Sequence, residues 1–262
     1  MTPALLSLLV VTLGLLVWRA VMRDRRDYAR FKRLRSSVRR RRVFGRWIAE
    51  SWLVLGGLSI ALLYAAWEFV PGVLDDLRTW GPLAAVPWGE PVVAGILAGV
   101  TVAMVAGMVL PVLLLRGKLD EIPALGDIRA LLPRQRAELP YGAGLGVTAG
   151  IVEELLFRLA LPALVFGILP AGTPAAGLMA FLGAAVLFGL LHVYQGPQGV
   201  LFSFLLGLFF TAIYVLSGSI LLPILLHALV DLRSLVLIPV VLGRAWDPEP
   251  GTPPRAAASP TR

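Results

Sequence analysis

Two adjacent carboxylates, Glu153 and Glu154, stand in an apolar run that continues through Leu-Leu-Phe to Arg158. A carboxylate held away from bulk water can act as a general base, so this pair is the first candidate for chemistry. On a helix, residues four apart share a face, and Glu154 can pair with Arg158. Glu153 lies about 100° further round and is left free of that pair. One carboxylate is therefore a candidate for structure and the other for chemistry. Two further polar motifs follow in apolar surroundings: Phe188-Gly-Leu-Leu-His192 and His227-Ala-Leu-Val-Asp231. In each, the first and last residues share a helical face. The chain has two histidines, and both fall in these motifs.

Taken singly, each residue has an ordinary explanation. A lone carboxylate in a membrane helix is often a hydrogen-bond partner between helices, and a lone histidine on an apolar face is usually a satisfied core residue. Each ionisable group nevertheless costs about 2.5–3.5 kcal/mol at the centre of a membrane helix. Two glutamates, an arginine, two histidines and an aspartate on three helices would each need a separate structural reason.

These residues need apolar helices to hold them, and composition supplies them. Hydrophobic residues make up 58% of the 262, and only 15% are charged. A helix spans the bilayer core with roughly 20 mostly apolar residues. Seven spans are expected: Pro3–Met22, Trp47–Val70, Pro91–Leu115, Tyr141–Phe166, Pro174–His192, Gly199–Leu216 and Ile220–Leu242. The expected fold is an all-α polytopic membrane bundle of about seven transmembrane helices around a polar intramembrane cavity.

The net charge of +8 comes mainly from one run. Between Arg19 and Arg46 there are thirteen Lys or Arg against two acids, Asp24 and Asp27. A basic loop between apolar helices is read as cytoplasmic. The loop Arg116–Pro140 is also basic and lies two spans on, so the two assignments agree. They put the C-terminus inside and the acidic, Trp-containing loop Pro71–Glu90 outside. Nothing around the basic run resembles a nucleic-acid-binding fold, and no nucleic-acid partner is expected. The first apolar run lacks a positive segment before it and is followed by basic residues, as a stop-transfer helix is. With no cysteine, disulfides, thiolate metal sites and a cysteine nucleophile are excluded. With no asparagine, N-glycosylation is excluded.

Gly142, Gly146 and Gly150 recur every four residues and make a flat helix face for close packing. Their spacing is not that of a dinucleotide-binding loop. No internal repeat of the kind found in two-halved transporters is present, which argues against a transporter or proton relay.

The ordered set Glu153-Glu154-x-x-x-Arg158, Phe188-x-x-x-His192 and His227-x-x-x-Asp231 resembles the CPBP family. That family comprises the type II CAAX prenyl endopeptidases and bacteriocin-processing enzymes, also called the abortive-infection (ABI) domain family. Its pattern is EExxxR, then FxxxH, then HxxxN or HxxxD, and the resemblance covers about Gly142 to Val241. The resemblance implies an intramembrane endopeptidase whose base is a glutamate. Glu153 with His192 would position and deprotonate a water, and His227 with Asp231 would line the oxyanion site. Glu154, Arg158 and Phe188 would support the bundle. Where this family often has Asn, the chain has Asp231. An ionised Asp accepts hydrogen bonds but does not donate them, so Asp231 must carry a proton or act by orienting His227.

The resemblance divides the chain into N-terminal membrane helices with the basic loop (1–140), a catalytic core (141–243) and a disordered tail (244–262). No cofactor is expected. A zinc peptidase is the alternative, with Glu153, His192 and His227 as the metal ligands, although no H-E-x-x-H helix is present. A non-catalytic membrane adaptor of the same fold is the second alternative. The expected partners are membrane lipid and a membrane-associated peptide or lipidated protein. The expected location is a plasma membrane of bacterial type.

Overall fold

The computed structural model of the protein describes residues 2–116 and 126–242. The tail expected to be disordered and part of the second basic loop, with Lys118, lie outside the described residues. Within them the chain is helical and contains no strand. The helices are α1 (Pro3–Phe31), α2 (Ser37–Ala66), α3 (Phe69–Arg78), α4 (Pro91–Leu114), α5 (139–168), α6 (Ala176–Leu191), α7 (Gly196–Ser217) and α8 (Leu221–Val241). Helices α1, α2, α4, α7 and α8 are long and apolar enough to cross a membrane. Helix α5 is as long but carries the Glu-Glu-Arg cluster, and α6 is shorter, with 16 residues.

Two expected loops turn out to be largely helical. The basic segment is an extension of two membrane helices: α1 continues to Phe31 and α2 begins at Ser37, leaving only a short turn between them. Arg and Lys are good helix formers, so the charge run does not interrupt the helix. Tyr28, Phe31 and Phe44 are buried there beside Ala130. In the segment expected as an outer loop, α3 buries Val73, Leu74 and Leu77 against Phe181 and Tyr214. Asp76 on α3 accepts a 2.7 Å hydrogen bond from the backbone N–H of Gly177, at the start of α6. An anion at a helix N-terminus offsets orphan donors and the helix dipole.

Large apolar side chains face outward along the bundle: Leu53, Ile60 and Tyr64 on α2 are 77%, 70% and 92% exposed. In an aqueous protein such a surface would be costly; against lipid it is the expected exterior. Several membrane-length helices and this exterior make the chain an integral membrane protein.

The core joins the N-terminal helices to the polar ones. Leu5 and Leu16 of α1 and Leu55, Leu62 and Ala66 of α2 pack with Val152, Leu156 and Phe157 of α5. The glycine face of α5 packs on α8. A Cβ on Gly150 would stand 2.8 Å from the backbone nitrogen of Ala228, and one on Gly146 would stand 2.8 Å from the Cβ of Asp231. Only glycine lets these backbones approach so closely, and the contact sets His227 and Asp231 beside the glutamate pair.

Candidate active site

At the centre of the bundle lies a cavity of about 540 Å³. Glu153, His192, His227 and Asp231 all line it. The N-terminal helices complete its wall with Leu16, Arg19, Tyr28, Trp47 and Ser51, and the segment before α5 adds Leu131 and Leu132. Among the described residues there are four wide, π-helical turns, at Arg19–Asp24, Ser51–Gly56, Leu155–Ala160 and Arg233–Leu237. Each contributes side chains to this cavity. Such turns concentrate at functional sites, because one extra residue per turn re-aims the neighbouring side chains.

The adjacent glutamates part company. Glu154 is fully buried, with one oxygen 3.0 Å from Arg158 Nε. Its other oxygen lies 2.7 Å from His227 Nδ1. A carboxylate accepts, so the ring nitrogen donates, and Nε2 of His227 is turned the other way. That atom stands 3.9 Å from Glu153 Oε2. The gap is too long for a hydrogen bond, yet a water about 2.8 Å from each atom fits beside it. Glu153 is one-fifth exposed, in contrast to its neighbour. The orientation of His227 thus comes from Glu154, a partner that sequence spacing does not indicate because 73 residues separate the two.

Arg158 reaches across the bundle. Its Nη2 donates to the carbonyl of Gly207 on α7 at 3.1 Å, and its guanidinium lies over the rings of Phe188 and Phe210 at 4.9 and 5.5 Å. Phe188 touches both histidines, with ring centroids 4.8 Å from His192 and 6.0 Å from His227. Phe210, which belongs to none of the three motifs, stacks on His227 at 5.0 Å and 21°.

His192 ends α6. Its Nδ1 lies 2.7 Å from the carbonyl of Phe188, one turn back. The carbonyl accepts, which leaves Nε2 free on the cavity side. His192 stands at the C-terminal end of α6 and His227 in the first half of α8, and both side chains reach the same cavity. Sixteen residues rise about 24 Å, less than the roughly 30 Å of a hydrocarbon core. Among the described residues, no three His, Asp or Glu side chains are grouped so as to hold a metal ion.

Comparison with protein-family models matches residues 135–233 to the type II CAAX prenyl endopeptidase Rce1-like family. The match covers less than half of the chain and includes all three motifs. Comparisons with curated proteins and with solved structures gave no match. Segment 135–233, from just before α5 to just past Asp231, is accordingly similar to the Rce1-like type II CAAX prenyl endopeptidases, and it is set in an integral membrane protein.

Proposed function

We propose that the protein is an intramembrane endopeptidase that uses Glu153 as its base. The observation that carries this reading is the division of labour between neighbours. Glu154 is consumed by Arg158 and His227, while Glu153 faces the cavity 3.9 Å from His227 Nε2. A water held between Glu153 and the free nitrogen of His192 loses its proton to the carboxylate. The resulting hydroxide attacks the carbonyl carbon of a peptide bond, and the oxygen of the tetrahedral intermediate faces His227 and Asp231. Glu153 returns the proton to the leaving amine as the C–N bond breaks. Apolar residues such as Leu16, Leu55 and Leu206 line the same cavity. They suit a membrane-associated peptide or a lipidated protein as the substrate. In this reading the basic ends of α1 and α2 lie on the cytoplasmic side, and no metal takes part.

The test is proteomics of membrane-protein termini in cells carrying the wild type or Glu153→Ala. New termini that appear with the wild type and vanish with the variant support the peptidase. Identical termini in both would leave a non-catalytic membrane adaptor. Chelator treatment with metal analysis separates the zinc alternative: cleavage that falls with metal content and returns with zinc would favour it.

A further inference from the structure

An oxyanion formed in this cavity needs hydrogen-bond donors, and the residues assigned to that site supply few. Asp231, when ionised, has none. His227 has only Nε2 to offer, because Nδ1 is engaged by Glu154. A further donor from outside the three motifs would complete the site.

Tyr194 meets the requirements. It lines the same cavity, in the turn that joins α6 to α7, two residues past His192. Its ring is held between two others, 5.3 Å from Tyr28 and 5.9 Å from His192. Its hydroxyl oxygen accepts a 2.9 Å hydrogen bond from Gln195 Nε2. That bond occupies the acceptor side and leaves the hydroxyl proton unassigned. Among the described residues, this is the hydrogen bond the hydroxyl makes, and it makes it as an acceptor. Glu153 and Asp231 line the same cavity wall as this ring. A phenol donates one proton and is smaller in reach than an Arg or Lys, so it can serve a developing oxyanion without adding a second buried cation.

We infer that Tyr194 is a catalytic residue of the proposed peptidase, donating its hydroxyl proton in a hydrogen bond to the oxyanion that forms on the substrate carbonyl. The bond is made as the carbonyl oxygen gains charge and is released when the intermediate collapses. The proton stays on Tyr194 throughout. In this chain the phenol takes over the donor role that an amide at position 231 would fill. The inference rests on the peptidase reading above.

The experiment compares the rate at which Glu153-dependent termini accumulate in cells expressing four proteins at equal levels. These are the wild type, Glu153→Gln, Tyr194→Phe, and Tyr194→Phe combined with Asp231→Asn. Tyr194→Phe keeps the stacked ring and loses only the hydroxyl. Its rate should fall about a hundredfold, as for removal of one oxyanion donor, with the melting temperature of the purified protein unchanged. Adding Asp231→Asn should restore at least a tenfold share of the lost rate, which a purely structural role for Tyr194 would not allow. A wild-type rate in Tyr194→Phe overturns the inference alone. A loss of rate that tracks a loss of melting temperature, with no rescue by the amide, overturns it as well. Absence of any Glu153-dependent terminus overturns the peptidase reading and this inference with it.

Discussion

Among the described residues, two fully buried Arg–Glu pairs do different work. Arg40 and Glu138 meet at 3.0 Å beside the basic end of the bundle. Arg40 also donates to the carbonyls of Ala130 and Leu132 at 3.0 and 3.1 Å, and Glu138 accepts from the backbone N–H of Arg134. Each of those additional partners is backbone. Arg158 and Glu154 meet at the same distance in the middle of the bundle, but Glu154 spends its second oxygen on a histidine that faces the cavity. The first pair fastens the segment before α5 to α2. The second fastens α5 to α7 through Gly207 and aims His227. Burial and charge are alike in both, so neither property identifies a site. What distinguishes them is the glutamate: Glu138 also accepts from a backbone N–H, whereas Glu154 also bonds a side chain that reaches the cavity.

The strongest way to break the comparison is to neutralise one carboxylate at a time. Glu154→Gln and Glu138→Gln each leave a buried guanidinium without its counter-charge, and each should cost about 3–5 kcal/mol. Thermal melting of detergent-purified protein measures this. The two should then diverge in activity: folded Glu138→Gln should keep its turnover within about tenfold, whereas Glu154→Gln should lose it because His227 is no longer anchored by a carboxylate. Equal turnover in both would erase the distinction.

A smaller effect is expected at the glycines of α5. Gly150→Ala drives a methyl against the backbone of Ala228, where nothing can yield, and should cost about 1–3 kcal/mol. Gly144→Ala on the same helix meets only the end of the Ile48 side chain, at 3.1 Å, and should be nearly neutral. Melting of the two variants side by side checks whether the α5–α8 contact is as tight as the geometry requires. The smallest effect belongs to Phe210. Phe210→Leu keeps an apolar side chain but loses the stack on His227, worth about 0.5–1.5 kcal/mol. It should lower stability slightly and loosen the histidine, to be read from melting and turnover together.

Much of this architecture is written in local pattern. From α4 onward, apolar runs bounded by Pro and charge place the helices within about three residues at each end, because span length is dictated by the bilayer, whereas α1 and α2 run on through the basic segment. The Glu154–Arg158 pair follows from helical spacing, and the close packing of Gly142, Gly146 and Gly150 follows from their four-residue repeat. The contacts that sequence spacing misses are the long-range ones. The bond from Glu154 to His227, the stack of Phe210 on that ring and the Asp76 cap on α6 join residues on different helices. No periodicity encodes them. The helical form of the basic segment was hidden for another reason: positive charge marks a side of the membrane and says nothing against a helix. The segment Pro71–Glu90 is expected as a loop because α3 is short, and its apolar face of Val73, Leu74 and Leu77 sits inside a Pro- and Trp-rich stretch.

The central claim is that Glu153 does the chemistry while its neighbour holds the scaffold. The most direct measurement is cleavage of a peptide spanning a Glu153-dependent terminus by purified Glu153→Gln, with melting recorded on the same sample. The amide keeps the shape of the side chain but cannot take a proton. The account predicts a protein that melts like the wild type and cleaves at least a thousandfold more slowly, about 4 kcal/mol of lost transition-state stabilisation. Wild-type turnover in Glu153→Gln would contradict it.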